Sequence, residues 1–437
     1  MRRILLLLLL FLLCSTFIFC RLALSSDDSE PRAFVNGLWF TGKGFQPTTF
    51  YSVNGILTRQ KPHGPAKEIN LQGGFVVPAF GDAHNHSPSS KQDLERANHA
   101  YLDAGIFYVL NPGGDAESAN AIRSQLGMPT TVDVIFAHAL FTCSGGHPRP
   151  YLEYLIERGI LPLKKEQLEG RSFYSVDSAA DVQKVWPRYL LTKPDFVKLV
   201  FVFSELYESA DTSQKSLGLR LDTAKDIVRR AKIAGLRSGA HIESAHDFHD
   251  AVEAGVDLVM HLPAFPDPLD RQEAYRNKLN WEERYTISAS DIKLAAERGV
   301  VVVTTAASGS AENFEKPNTL ADMNENEKRF RRITIQNLLH LKEAGVPLAV
   351  GTDTMPGTGA LNEMQFLKET DVFSNLELLK MWSETTPRAV LPQRKIGALE
   401  EGYEANFLVL DGNPIEDFSN MRRIRMRVKH SIAVDVN

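Results

Sequence analysis

A chain of 437 residues is longer than one ordinary hydrophobic core supports, so a large domain with a smaller companion is expected. Its 43% hydrophobic and 24% charged residues belong to a soluble globular protein and exclude collagen-like, coiled-coil and broadly disordered chains. A net charge of −5 argues against nucleic acid as a partner, which needs clustered positive charge, and says little about a substrate.

The first element in chain order is an export signal. Arg2 and Arg3 precede an apolar run from Ile4 to Phe19, and the small residues Ala23 and Ser25 follow. This order predicts a secretory signal peptide over residues 1–25. A retained membrane anchor is the alternative, since the run approaches the minimum length for spanning. Cleavage would remove three arginines and no acids, taking the net charge from −5 to −8. It would also leave Cys143 as the sole cysteine, so no intramolecular disulfide could form. The expected protein is exported, periplasmic or secreted. It acts on a small molecule, has no stable membrane association after cleavage, and its oligomeric state (a homo-oligomer included) stays open.

Residues 33–77 hold short β-like pieces punctuated by Gly, Pro and Asn, as in a small antiparallel sheet. The texture returns at Ala405–Leu410 and Met426–Val434. Residues 33–77 plus 396–437 are therefore expected to form one composite β-sandwich domain. Between them, over 78–395, apolar runs alternate with helix-like stretches. The runs are Phe75–Phe80, Ile106–Leu110, Val132–Ala137, Phe196–Val202, Leu236–His241, Leu258–His261, Val300–Thr304 and Leu348–Thr352. The helices are Lys91–Ala104, Leu221–Ala234, Ala245–Ala254, Ala289–Arg298 and Glu325–Ala344, each followed by a glycine suited to cap it. Eight such runs imply parallel strands buried on both faces, and a (β/α)8 barrel is the simplest closure. An open doubly wound sheet is the alternative, but no glycine-rich dinucleotide fingerprint follows the first run.

The histidines carry the chemistry. His84-Asn-His86 closes run one, and residues i and i+2 of an extended segment share a face. His241 closes run five, His261 closes run six, and Asp353 follows run eight. In a barrel these positions meet at one mouth. A lone histidine at a strand end is usually structural, whereas this set suits zinc or a similar divalent ion. Lys198 lies inside run four, where a buried ammonium is costly. It could snorkel to the rim, pair with a carboxylate, or form a carbamate with CO₂; spacing alone does not choose.

The pattern Val77-Pro-Ala-Phe-Gly-Asp-Ala-His-Asn-His86, with Asp195-Phe-Val-Lys198, Ala240-His241, Gly255-Val-Asp-Leu-Val-Met-His261 and Gly351-Thr-Asp353, resembles the metal-dependent amidohydrolase superfamily. Its imidazolonepropionase-like and prolidase-like branch is the most similar. Gly145-Gly-His147 is similar to a loop of that branch, and Ile396–Leu410 resembles the return into the β-domain. Two departures, Asn406 for the usual aspartate and Ala79-Phe80-Gly81 before Asp82, touch no expected ligand.

The resemblance implies hydrolysis at a carbonyl or related carbon by a metal-activated hydroxide, with one or two divalent ions, zinc the first choice. It suggests a binuclear arrangement: His84, His86 and Asp353 on one ion, His241 and His261 on the other, carbamylated Lys198 between them. Asp353 is the expected catalytic proton carrier. Related deaminases lack the strand-four lysine and carry a glutamate three residues after the strand-five histidine. Position 244 is serine, and Glu243 is expected to face differently. Cleavage of an amide, dipeptide or cyclic amide is favoured. A lactone or ester hydrolase, a deaminase, and a silent metal-stabilised binding protein are the alternatives. His147 and Tyr207 are candidate substrate contacts, and His138, His246 and His249 are expected to be structural or surface residues. The segments 143–175 and 262–288, with Arg149, Tyr151, Tyr154, Trp281 and Arg284, are expected to wall the site.

Overall fold

The protein is described by a computed structural model over residues 30–161, 163–208, 217–263, 281–307, 325–354 and 356–436. The expected signal, residues 1–25, and residues 264–280 of the second expected wall lie outside the described residues.

The chain begins with β1 (Arg32–Phe40), β2 (Phe45–Val53), β3 (Ile56–Thr58), β4 (Lys67–Asn70) and β5 (Phe75–Pro78). β1 pairs antiparallel with β2 but parallel with β4 and β5, so this sheet is mixed. The eight residues 59–66 between β3 and β4 are no tight hairpin, and that freedom lets β4 return in the parallel sense.

The run Phe75–Phe80, expected to be one barrel strand, is divided. Pro78 offers no amide to a ladder and ends β5. The barrel starts afresh at β6 (Phe80–Asp82), which pairs parallel with β7 (Ile106–Asn111) and through it with β8 (Asp133–Phe136). His138, at φ 59°, then bends the chain, which resumes as β9 (Leu140–Thr142). β9 pairs with β10 (Phe173–Ser175) and β11 (Phe196–Val200), so β8 and β9 are two halves of the third stave. β12 (Arg237–His241), β13 (Leu258–Met260), β14 (Val301–Val303) and β15 (Leu348–Ala349) continue in parallel. Hydrogen bonds from Ala83 N to Val350 O (2.8 Å) and Asp353 N to His84 O (2.8 Å) return the last stave to the first. The result is a closed (β/α)8 barrel.

The helices follow their local signals. Leu94–Asp103, Leu221–Ile233, Ala245–Ala254, Ala289–Arg298 and Glu325–Glu343 fall where the periodicity places them. Ser244 and Ser288 cap two of them by accepting from Asp247 N and Asp291 N. Gly255 (φ 84°) and Gly299 (φ 66°) end the same two in the left-handed region that glycine tolerates best.

The chain closes with β16 (Phe407–Leu410), β17 (Ile424–Lys429) and β18 (Ile432–Val434). β16 lies antiparallel between β5 and β17, so both ends of the chain build one sheet. Phe407 packs on Phe34 (4.9 Å between ring centroids) and Trp39 (5.1 Å), and Trp39 packs on Phe50 (4.6 Å). Asn406 donates to Tyr108 Oη and accepts from His430 N, work for an amide that both gives and takes hydrogen bonds.

An ion cluster joins this sheet to the barrel far from the strand-end histidines. Lys429, whose side chain is fully buried, donates to Asp133 (2.8 Å), and Arg394 donates to the other Asp133 oxygen (2.7 Å). Burial alone would raise Asp133, but Lys429 and Arg394 outweigh it and hold the carboxyl below its ordinary value. Asp133→Asn should therefore cost about 3–5 kcal/mol at pH 7, because a buried ammonium loses its counter-charge. A depressed carboxyl contributes stability above its unfolded value, and that stability is lost as pH falls through the folded one. Urea unfolding should show the mutant's deficit shrinking below about pH 4; a constant deficit would refute this account.

Candidate functional site

The C-terminal ends of the barrel strands bring together the side chains singled out from sequence. The Nε2 atoms of His86 and His84 lie 3.2 and 3.6 Å from Asp353 Oδ1. One ligand atom from each of these three residues falls within 4.8 Å of the others. The ring of His261 lies 4.6 Å from that of His84 and 4.6 Å from that of His241, measured between centroids. His147 stacks on His241 at 4.8 Å and 10°. His84 and His261 are 2% and 0% exposed, so the floor of this group is dry. His261 (φ 80°) and Asp353 (φ 52°) hold left-handed backbone without being glycine, a strain that fixes where their side chains point.

Each ring but that of His84 is oriented through its second nitrogen. His86 Nδ1 contacts Gly113 O (2.9 Å), His241 Nε2 contacts Glu243 Oε1 (2.9 Å), and His261 Nδ1 contacts Thr305 Oγ1 (2.7 Å). A carbonyl and a carboxylate can only accept, which places a ring proton on His86 Nδ1 and on His241 Nε2, while the Thr305 hydroxyl can accept or donate. His84 Nδ1 is buried with no hydrogen-bond partner among the described residues. Burial drives His84 and His241 well below the ordinary imidazole value and His261 down to about 3, so these rings are neutral at neutral pH. Neutral, oriented imidazoles beside a carboxylate fit a divalent cation.

Lys198 is 3% exposed, and burial pushes its amine down to about 7. Its Nζ lies 2.7 Å from Met260 Sδ, and no carboxylate of the described residues comes within ion-pair range. Tyr207 donates to Gly218 O (2.6 Å) and sits beneath the Arg220 guanidinium, so its hydroxyl is engaged within its own loop. Glu243 is 1% exposed and bonded to His241, two residues earlier. Ser244 instead caps the next helix. His138 is structural, bonded to Thr192 and pushed down to about 4 by burial and by Arg123. His246 and His249 are half exposed beside Asp250 and Asp291. Of the expected walls, the helix Arg149–Glu157 carries Tyr151 and Tyr154 exposed, and Arg284 packs on the Phe203 ring.

Several partners went unread in the sequence. Asn85, between the two histidines, points the other way. It donates to Thr352 Oγ1 (2.6 Å) and Thr354 O (3.1 Å), while Thr352 donates to Asp82 (2.8 Å). This network clamps the end of β6 to the loop that carries Asp353. The i, i+1 alternation of His84 and Asn85 was its only sequence signal.

Fold and site together define a (β/α)8 barrel whose C-terminal mouth gathers imidazoles, a lysine and an aspartate. The chain belongs to the amidohydrolase family, whose model matches residues 200–429. It is 30% identical to the ochratoxinase of Aspergillus niger over 203 residues, 44% of this chain and 36% of that protein. The match thus spans little more than a third of that relative's length. Among solved structures, a Xaa-Pro dipeptidase with bound methionine in its active site superposes with a TM-score of 0.69 at 19% identity, covering 93% of this chain and all of that one (100%). The A. niger ochratoxinase structure gives 0.69 at 19% identity, covering 92% and 96%. At these identities the structures support the fold alone.

Proposed function

We propose that this protein is an exported, divalent-metal-dependent hydrolase that cleaves the C–N bond of an amide, dipeptide or cyclic amide. The observation that carries the reading is the convergence of His84, His86 and Asp353, with His241 and His261 alongside, each ring except His84 oriented through its second nitrogen. His84, His86 and Asp353 would hold one ion, His241 and His261 a second, with Lys198 as a bridging carbamate. A divalent cation so held supplies Lewis acidity and lowers the pKa of water towards about 7.

The chain's own groups do the rest. Asp353 takes the proton of the attacking water and passes it to the leaving nitrogen. His147, stacked on His241, contacts the substrate at the rim. The carbamate is supported by an amine that is buried with no carboxylate of the described residues in ion-pair range. The substrate class draws support from membership of the amidohydrolase family. Export rests on the basic, apolar and small-residue order of residues 1–25. Secreted protein whose first residue follows Ser25 would support it, and retention of residues 1–25 would refute it.

Zinc- or manganese-loaded protein should turn over N-acylated amino acids or Xaa-Pro dipeptides, lose that activity to a chelator and regain it with added ion. Loading at 100 times Kd should also stabilise the fold by about 2.7 kcal/mol. A metal-replete preparation inactive on amide, ester and lactam libraries would instead identify a binding protein.

A further inference from the structure

Behind His241 stands a carboxylate chain that the reaction itself does not use. The Asp247 side chain, 0% exposed, accepts four backbone N–H groups: Phe203 (2.9 Å), Ser204 (2.8 Å), Glu243 (3.0 Å) and Ser244 (2.9 Å). Two belong to the loop after β11, the strand of Lys198, and two to the loop after β12, which ends in His241. Asp247 is itself fixed, since its own N–H donates to Ser244 Oγ (3.1 Å). Ser244 Oγ in turn donates to Glu205 (2.9 Å). Glu243 is thereby held by its backbone with its side chain turned into the mouth, where Oε1 meets His241 Nε2 at 2.9 Å. The Glu243 side chain is 1% exposed, and a buried carboxylate in this place is costly unless it is put to use.

Resting on the function proposed above, we propose that Glu243 is a positioning residue that keeps the ring proton of His241 on Nε2, leaving Nδ1 as the lone pair offered to a cation, with Asp247 as the anchor that aims Glu243. An imidazole free to swap tautomers would present N–H to the ion in part of its population. A carboxylate that can only accept removes that choice and raises the basicity of the opposite nitrogen. His86 draws the same service from a carbonyl. Among the described residues, the second nitrogen of His241 meets a carboxylate instead.

The test is cobalt binding to apo protein, read by equilibrium dialysis and by the visible d–d spectrum of the loaded protein. Glu243→Ala should weaken cobalt binding by about 10–100-fold and alter the spectrum. Glu243→Gln, whose amide oxygen still accepts from Nε2, should stay within a few-fold of the parent. Because the effect passes through His241, adding Glu243→Ala to His241→Ala should cost nothing further. Should Glu243→Ala fail to fold, Glu243→Asp, which withdraws the acceptor by one methylene, takes its place in the same cycle. Parent-like binding in Glu243→Ala (or in Glu243→Asp where it takes its place), or losses that simply add to that of His241→Ala, would overturn the inference alone. A parent protein that takes up no cobalt would overturn the proposed function as well.

Discussion

Asp353→Asn should lower kcat by about 10²–10⁴-fold on any amide the protein accepts, the range attributable to a positioned proton carrier. Asn preserves shape and one oxygen, so the strained backbone at φ 52° and the bond from residue 353 N to His84 O can persist. What it loses is basicity. Asp353 suits the task because the His86 imidazole offsets its burial and holds its carboxyl below the ordinary value, ionised and able to accept a proton. Its Oδ1 also lies within 3.6 Å of two imidazoles, where a reacting water would be confined. The measurement is kcat and KM with metal content and circular dichroism in parallel. A folded, metal-loaded Asp353→Asn enzyme of parental kcat would remove Asp353 from the chemistry.

Lys198→Ala should reduce metal content from about two ions per chain to about one or fewer, and activity should fall with it. Lys198 lies in the middle of β11, beside Gly239 of β12, and its head reaches Met260 Sδ rather than solvent. A protonated amine so enclosed repels cations; a carbamate is an anion with two oxygens. Loading the parent with ¹³C-bicarbonate should give a carbamate carbon resonance that the mutant lacks. Two full metal equivalents and parental rates in Lys198→Ala would rule out the bridge.

Much of this architecture was legible in the sequence, for identifiable reasons. Helices with serine caps and terminal glycines declare themselves locally, and Ala245–Ala254 and Ala289–Arg298 fall where expected, to the residue. The histidines were readable because a barrel repeats one rule: strand ends share one rim. Strand one misled because Phe75–Phe80 is one apolar run, although Pro78 inside it stops the ladder. The bend at His138 carries no composition signal, since neither glycine nor proline marks it. Thr305 and Gly113 were unreadable for another reason. Each reaches its histidine, 44 and 27 positions away in sequence, only through the closure of the barrel. The bond from Glu243 to His241 is equally illegible, because beyond the last residue of β12 strand alternation no longer decides which way a side chain faces.

The sheet shared by the two chain ends sets a timetable for synthesis. β5 hydrogen-bonds to β16, more than 300 residues later, so Phe34 and Trp39 cannot bury themselves on Phe407 until nearly the whole polypeptide exists. Such remote pairing delays completion of the fold and leaves aromatic surface uncovered on nascent or truncated chains. Premature stops before residue 407 should therefore give aggregates rather than shortened enzymes, however intact their histidines.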